Sequence, residues 1–141
     1  RTGSPLSLVL IDLDDFKAVN EEGGHPAGDR LLRRVGMALK KVTRGSELCG
    51  RVGGDEFALV IAGDMKLATR AAQRVRDALN ALDVSATASA CQWNASERLR
   101  ELYRRTDREL QALKEQRRMA IALSMSSSSS STKEAGVEER N

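Results

Sequence analysis

The stretch Gly53-Gly54-Asp55-Glu56-Phe57 places two glycines directly before two carboxylates, and an apolar run from Phe57 to Ile61 follows. Another apolar segment, Leu48 to Val52, leads into the glycines. A two-residue hairpin turn of the primed type needs positive φ at both central positions, and Gly-Gly supplies it at low cost. The stretch therefore predicts a β-hairpin that carries Asp55 and Glu56 at the tip of a strand.

A second acidic cluster follows the first apolar segment of the chain. Leu6 to Ile11 is apolar enough to be a strand buried on both faces, and it runs into Asp12-Leu13-Asp14. If this strand and the hairpin are neighbours in one sheet, Asp12 and Asp55 can converge on a divalent ion. Mg²⁺ fits best, because it takes oxygen ligands and keeps waters or substrate phosphates in its shell. The alternative is that each cluster only caps a strand with solvated charge.

The two clusters and the residues between them resemble the GGDEF family of diguanylate cyclases. Members of that family condense two GTP molecules into cyclic di-GMP and release two pyrophosphates. The resemblance runs from about Leu6 to Met125. It is carried by Asp12-x-Asp14-x-Phe16-Lys17-x-x-Asn20, Gly24-His25-x-x-Gly28-Asp29, Arg51-x-Gly53-Gly54-Asp55-Glu56-Phe57 and Lys114-x-x-x-Arg118.

The resemblance implies a metal site made of acids. Asp12 and Asp55, joined by the backbone carbonyl of Leu13, would hold Mg²⁺, for which Mn²⁺ could substitute. Asp12, Asp55 and Glu56 are then the expected catalytic residues. Glu56 would assist either a second metal ion or the deprotonation of the attacking hydroxyl. The competing interpretation makes Glu56 a solvated strand residue.

The resemblance also implies how GTP is recognised. Asn20 and Asp29 would read guanine, because a carboxylate can accept hydrogen bonds from guanine N1–H and the N2 amino group, whereas adenine presents an unprotonated N1. Without the motif, Asn20 reads as a turn residue and Asp29 as a first-turn helix acid. The phosphates would be bound by the backbone of Phe16 and by the side chains of Lys17, Lys114 and Arg118. Lys114 and Arg118 lie one helical turn apart, which also suits a solvated helix face.

One segment departs from the pattern of the family. Many relatives carry an Arg-x-x-Asp motif before the hairpin that binds the product as an inhibitory site, and here the aligned residues are Arg44 to Glu47. The extra methylene of glutamate displaces the carboxylate. We therefore expect feedback at Arg44 and Glu47 to be weak, with cyclic di-GMP competing for the guanine site instead.

The composition fits a single soluble enzyme domain with a core. Of the 141 residues 40% are hydrophobic and 3% aromatic, so aliphatic side chains must fill the interior. Nothing resembles a signal peptide or a membrane span, and a net charge of +3 gives no reason to expect a nucleic-acid partner.

Cys49 and Cys91 have no metal-ligand spacing, and we expect both to be small core residues of a reducing, cytoplasmic compartment. No membrane contact is expected of this domain, although a parent protein could be membrane-anchored.

Strand and helix signals alternate along the chain and predict a fold that combines helices and strands (α/β), specifically of the α+β class. The β-α-β-β-α-β order predicts a mostly antiparallel sheet flanked by helices, ferredoxin-like, and the resemblance adds that it is palm-type and nucleotidyl-cyclase-like. Residues 1–125 would form this domain and residues 126–141 a serine-rich disordered tail. Besides the first apolar strand and the hairpin, the predicted elements are helices over Pro26–Val42, Lys66–Leu82 and Ser96–Arg118 (capped by Ser96) and strands over Asp83–Cys91 and Met119–Met125.

The resemblance implies an assembly as well as a reaction. Because one site holds one GTP and the product needs two, the catalytic unit should be a two-fold homodimer. The lead segment that precedes the first strand in relatives is absent, so an N-terminal sensory or dimerisation module is expected in a parent protein. The alternative function is a weak or inactive GGDEF domain that acts as a GTP or cyclic di-GMP receptor. A different palm-type cyclase or polymerase is disfavoured by the guanine-reading pair.

Overall fold

Four strands form one antiparallel sheet in the order β2-β3-β1-β4, and three helices pack against it. The structure, a computed structural model, describes residues 3–134. This architecture confirms the predicted α+β, ferredoxin-like class. In chain order the elements are β1 (Ser7–Leu13), α1 (Phe16–Val42), β2 (Glu47–Gly53), β3 (Glu56–Ile61), α2 (Met65–Asn80), β4 (Ala86–Gln92) and α3 (Leu99–Glu134).

Strand β1 is the centre of the sheet. It pairs with β3 on one side and β4 on the other, and all seven of its residues are buried. Successive side chains of a strand point to opposite faces, so β1 supplies both faces with core. The first face packs on α1 and α2 through Val9, Ile11 and Leu13 of β1. The second face packs on α3 through Leu8 and Leu10.

Helix α1 begins ten residues earlier than the sequence predicted. The helix runs from Phe16, and its one break is Gly24, where φ is 75° and ψ is 174°. That positive φ is costly for any residue except glycine, so Gly24 permits a kink between two helical segments. Pro26 falls in the first turn of the second segment, which is the position that tolerates its missing N–H. Asn20 therefore lies in a helix and not in a turn.

The hairpin exists, but its turn is displaced by one residue. Gly53 pairs with Glu56, so the two loop residues are Gly54 and Asp55 and not Gly53 and Gly54. Of these two only Gly54 has a positive φ, at 47°, which rules out the turn in which both do. The pairing of β2 and β3 is irregular between Arg51 and Gly53, and the extra residue absorbs the displacement.

Elsewhere the predicted starts of the helices lie within a few residues of the observed ones. The predictions for Ser96 and Cys49, in contrast, are wrong. Helix α2 ends two residues before the predicted end. At its start, the side chain of Asp64 caps the helix by accepting a hydrogen bond from the Leu67 N–H. Ser96 does not cap α3, because its N–H and its hydroxyl both donate to Asn94 and the helix begins at Leu99. Cys91 is buried as expected, whereas Cys49 is exposed on the edge strand β2.

The predicted closing strand from Met119 to Met125 is wrong. This segment continues α3, which extends to Glu134. Alanine, methionine and leucine are strong helix formers, and no glycine or proline interrupts residues 99–134. The disorder predicted from Ser126 is likewise contradicted up to Glu134, while the rest of that tail lies outside the described residues. No helix within residues 3–134 has an apolar stretch that could cross a membrane.

The packing of α3 can be tested with two leucines of the same helix. Leu110 is fully buried against the second face of the sheet, whereas Leu123 is 69% exposed. We expect Leu110→Ala to lower the free energy of unfolding by about 2–5 kcal/mol through lost burial and a cavity. The matched change Leu123→Ala should cost less than about 0.5 kcal/mol. Urea unfolding followed by circular dichroism measures both, and equal losses would contradict the described packing.

Candidate functional site

The carboxylate of Asp12 lies at the end of β1 and is 5% exposed. Its Oδ2 accepts a hydrogen bond from Lys114 Nζ at 2.8 Å, and its Oδ1 is buried without a hydrogen-bond partner. Burial raises the pKa of Asp12 above its ordinary value, the Lys114 ammonium lowers it, and the negative charge of Asp55 raises it again. Asp12 is therefore a desolvated carboxylate that one ammonium only partly neutralises.

Asp55 adjoins Asp12 through the backbone. The N–H of Leu13 donates to the carbonyl of Asp55 at 3.2 Å, which holds the hairpin loop against the end of β1. The two acidic clusters therefore lie together at the end of β1, and the divalent ion between them stays a prediction. Within residues 3–134 no group of three or more Asp, Glu, His or Cys side chains could hold a metal ion. A cation here would need backbone or ligand oxygens in addition to these two carboxylates.

A cavity of about 210 Å³ opens at this end of the sheet. Most of the residues predicted to bind metal or phosphate line it, together with three that were not predicted to do so. These lining residues are Leu13, Asp14, Asp15, Phe16, Lys17, Asp55, Lys114, Arg117 and Arg118. Phe16 is the first residue of α1, whose N-terminal N–H groups have no partners within the helix and are suited to binding an anion.

The cations of this cavity differ in how firmly they are held. Lys114 is fixed by Asp12, as described above. Lys17 and Arg118 make looser ion pairs within their own helices, with Glu21 at 3.7 Å and Glu115 at 3.2 Å. Exposed pairs of this kind contribute little energy, so both side chains can exchange their partner for an anionic ligand at low cost.

Arg117 is a residue of the cavity that sequence reasoning missed. Its guanidinium approaches Asp14 at 3.3 Å and Asp15 at 3.5 Å. Asp14 also accepts hydrogen bonds from the hydroxyls of Ser85 and Thr87, at 2.6 and 2.8 Å. Arg117 therefore ties α3 to the turn that follows β1. An acid and an arginine more than 100 positions apart in the sequence carry no local signal of this contact.

Glu56 follows Asp55 in the sequence and has a partner of its own. In the register of β1 and β3 it is directly opposite Asp12, so the two side chains project from the same face of the sheet. Its Oε1 accepts a hydrogen bond from the Tyr103 hydroxyl at 2.8 Å. Glu56 is thus a half-buried strand residue with a side-chain partner, and its part in the chemistry of the site stays a prediction.

The two predicted guanine readers lie on α1, on the other face of the sheet. The side-chain oxygen of Asn20 is buried and lacks a hydrogen-bond partner. Gly28 packs so closely that a Cβ there would be 2.0 Å from Asn20 Oδ1. Asp29, the next residue, is exposed and lines a larger cavity of about 540 Å³ between α1 and the hairpin, which Phe57 also lines. The structure thus brings Asn20 close to the segment that carries Asp29. The cavity of about 540 Å³ lies beside Asp29.

The carboxylate of Glu47, which we expected to contribute to a weak inhibitory site, has partners within the chain. Arg74 of α2 donates to both of its carboxylate oxygens, at 2.7 and 2.6 Å, and the Arg44 N–H donates to Oε2 at 2.9 Å. Arg74 also donates to the Val42 carbonyl at 2.8 Å, so it joins α2 to the end of α1. In this arrangement Glu47 has a structural role.

An antiparallel ferredoxin-like sheet with paired carboxylates and a ring of cations around one cavity defines a palm-type, nucleotidyl-cyclase-like domain. The family model described as "Diguanylate cyclase, GGDEF domain" matches residues 1–120. The chain therefore belongs to the GGDEF family.

Individual relatives are consistent with this membership. The chain is 44% identical over 77 residues to diguanylate cyclase DosC of Escherichia coli, a match that covers 54% of this chain and 17% of that protein. It resembles diguanylate cyclase SiaD from Pseudomonas aeruginosa, solved in complex with its activator SiaC, with a TM-score of 0.78 and 31% identity over 82% of this chain and 48% of that one. It also resembles the active GGEEF domain of a diguanylate cyclase from Vibrio cholerae, with a TM-score of 0.72 and 28% identity over 80% of this chain and 78% of that one. The chain thus spans about a sixth of the length of DosC.

The close approach of Gly28 to Asn20 provides a test of the predicted guanine site. We expect Gly28→Ala to weaken GTP binding by at least about 10-fold, because the new methyl group must displace Asn20, and displacements of about 1 Å at positioning residues can cost about 100-fold. Gly45→Ala is the control, since a Cβ at Gly45 meets nothing within 4 Å. Isothermal titration with Mg²⁺ and 3′-deoxy-GTP, which lacks the attacking hydroxyl and so cannot react, measures both affinities. Wild-type affinity in Gly28→Ala would contradict the placement of Asn20 in the site.

Proposed function

We propose that this chain is the catalytic domain of a diguanylate cyclase, which joins two GTP molecules into cyclic di-GMP with release of two pyrophosphates. The observation that carries the proposal is one cavity at the end of β1 that is lined by Asp55, Lys17, Lys114 and Arg118. The Lys114 side chain of this cavity also donates a hydrogen bond to Asp12. Carboxylates beside several cations are what a nucleotidyl transfer needs, because the reaction requires both metal coordination and binding of a polyphosphate.

Asp12 and Asp55, with the backbone carbonyl of Leu13, are the groups that would hold Mg²⁺, or Mn²⁺ in its place. These groups fit such an ion, since Asp12 Oδ1 is a buried carboxylate oxygen without a hydrogen-bond partner. Mg²⁺ commonly takes one or two carboxylates and completes its shell with waters and phosphates. When bound, the metal supplies polarisation of the α-phosphate and lowers the pKa of the attacking 3′-hydroxyl. Glu56, on the same face as Asp12, either assists a second metal or takes the hydroxyl proton.

The phosphates of GTP would be bound by residues from two elements. The backbone N–H of Phe16 and the side chain of Lys17 belong to the start of α1, and Lys114 and Arg118 belong to one face of α3. The weak ion pairs of Lys17 and Arg118 leave those cations ready for the phosphates. Held together, these groups neutralise a triphosphate and orient its α-phosphorus for in-line attack.

The base would be read on the α1 side of the sheet. Asp29 accepts from guanine N1–H and from the N2 amino group, and the unpartnered Oδ1 of Asn20 is a further acceptor for a guanine N–H. Adenine offers an unprotonated N1 to the carboxylate, so ATP binding would leave Asp29 opposite another acceptor. GTP is therefore the proposed substrate.

The two substrates would come from two copies of the domain. Each copy has one such site, and joining two GTP molecules head to tail requires two sites that face each other across a two-fold axis. A cytoplasmic location, which supplies GTP, follows from the same reaction. A sensory or dimerisation module in the parent protein would set how often two copies meet.

The reaction can be tested directly with the purified chain. Incubation with GTP and Mg²⁺ should yield cyclic di-GMP by chromatography, and Asp55→Asn should reduce the rate by more than about 100-fold, since losing groups that only orient metal ligands already costs about 10–100-fold. Asp77→Asn is the control, because that carboxylate lies exposed on α2 and accepts from Gln73. No product at high protein concentration or in an enforced dimer would favour the receptor function over the cyclase.

Product inhibition offers a second test. Because Arg74 and the Arg44 N–H occupy the Glu47 carboxylate, we expect the affinity for cyclic di-GMP in Arg44→Ala to equal that of the wild type. Asp29→Asn should weaken the same binding if the product enters the guanine site. Isothermal titration with cyclic di-GMP separates the two, and abolished binding in Arg44→Ala would restore the inhibitory site.

A further inference from the structure

The hydroxyl of Tyr103 donates a hydrogen bond to Glu56 Oε1 at 2.8 Å, across 47 positions of the sequence. Tyr103 lies near the start of α3, and Glu56 is the first residue of β3. The contact therefore joins a helix to the strand that carries the acids of the site. It occupies one oxygen of Glu56 and leaves Oε2 as an acceptor for another group.

Tyr103 and Lys114 act from the same side of α3. Eleven residues separate them, which is about three turns of an α-helix, so their side chains share one helix face. That face packs on the sheet through Leu110, which lies between them and is fully buried. Lys114 contacts Asp12 and Tyr103 contacts Glu56, and these two acids are directly opposite each other on β1 and β3. One face of one helix thus supplies a partner to each of the two acids.

We propose that Tyr103 is a positioning residue, which holds the Glu56 carboxylate in one orientation beside the Asp12 and Asp55 carboxylates. The proposal rests on the proposed cyclase function, in which Glu56 assists a second metal or takes the hydroxyl proton. Both tasks need one carboxylate oxygen in a defined place, and an unrestrained glutamate on a hairpin would distribute it over several rotamers. In this role Tyr103 acts through Glu56 and needs no contact with the substrate.

The protonation of Tyr103 agrees with this role. The hydrogen bond to Glu56 and the burial of the phenol raise the pKa of Tyr103 to about 12, with Asp107 of the same helix adding to the effect. The phenol therefore keeps its proton at neutral pH and remains the donor. Ionisation would remove the hydrogen and place a phenolate against a carboxylate, which is why the charge of Glu56 opposes it.

The contact itself can be measured without any reaction. Tyr103 is the only tyrosine of the chain, so the ultraviolet absorbance of tyrosinate reports on this residue alone. At pH of about 10 a tyrosine of ordinary pKa is half ionised, whereas Tyr103 should remain almost wholly protonated in the wild type. Glu56→Gln should raise the ionised fraction of Tyr103 above that of the wild type, because the charge of Glu56 is removed while burial and Asp107 remain. The control Glu109→Gln should leave Tyr103 as protonated as in the wild type. Circular dichroism at the same pH verifies that each variant is folded. Half ionisation in the folded wild type would overturn the proposal.

The positioning role requires a second measurement. Tyr103→Phe removes only the hydroxyl oxygen, and we expect kcat for cyclic di-GMP formation to fall by about 10-fold, with KM for GTP and the thermal midpoint unchanged. Leu99→Ala, an exposed change one turn earlier on α3, is the control and should leave all three values as in the wild type. Wild-type kcat in Tyr103→Phe, or a loss of kcat matched by a loss of stability, would overturn the positioning role.

The two measurements also separate this inference from the proposed function. A wild-type protein that makes no cyclic di-GMP refutes the cyclase. The tyrosinate measurement then still decides whether Tyr103 holds Glu56, because it needs neither GTP nor a metal. A wild-type cyclase with an ordinary tyrosine pKa refutes the inference and leaves the cyclase intact.

Discussion

The ion pair between Asp12 and Lys114 is the interaction on which the arrangement of the site depends. Asp12 belongs to a strand whose seven residues are all buried, so its carboxylate is desolvated by the same packing that forms the core. Breaking a buried pair by removing one partner typically costs about 3–5 kcal/mol, because the remaining charge has no compensation. The ammonium that limits this cost comes from α3, and the position of α3 over the sheet is therefore coupled to the charge of Asp12.

The candidate site has residues on both faces of the sheet, and Asp12 at the end of β1 lies where the two faces meet. Helices α1 and α3 pack on opposite faces, with β1 between them. Asn20 and Asp29, the residues proposed to read the base, belong to the α1 side, and Lys114 and Arg118 belong to the α3 side. The acids stand at the end of β1 and in the hairpin loop, where the two sides meet. A nucleotide bound there would cross the end of the sheet, with its charged half under α3.

The sequence predicted those elements whose signals are local. Apolar runs marked β1 and β3, and the glycines and acids of the hairpin marked the site, because turns and buried strands are specified by neighbouring residues. The segment from Met119 to Met125 misled, since its alternation of large and small side chains suits a strand. Its helix propensity and its continuity with the preceding turns of α3 decide the outcome, and alternation alone does not measure either. The kink at Gly24 also lacked a signal strong enough to show that helix precedes it.

The partners of the site residues were not predictable, because each pair joins distant parts of the chain. Lys114 with Asp12, Tyr103 with Glu56 and Arg117 with Asp14 all depend on the rotation of α3 about its axis. A change of register by one residue would turn the helix by about 100° and separate Tyr103 and Lys114 from their acids together. Burial of Leu110 against the sheet prevents such a rotation. The packing of Leu110 thus sets the orientation of polar side chains four and seven positions away on the same helix. The chemistry of the acids depends on that packing.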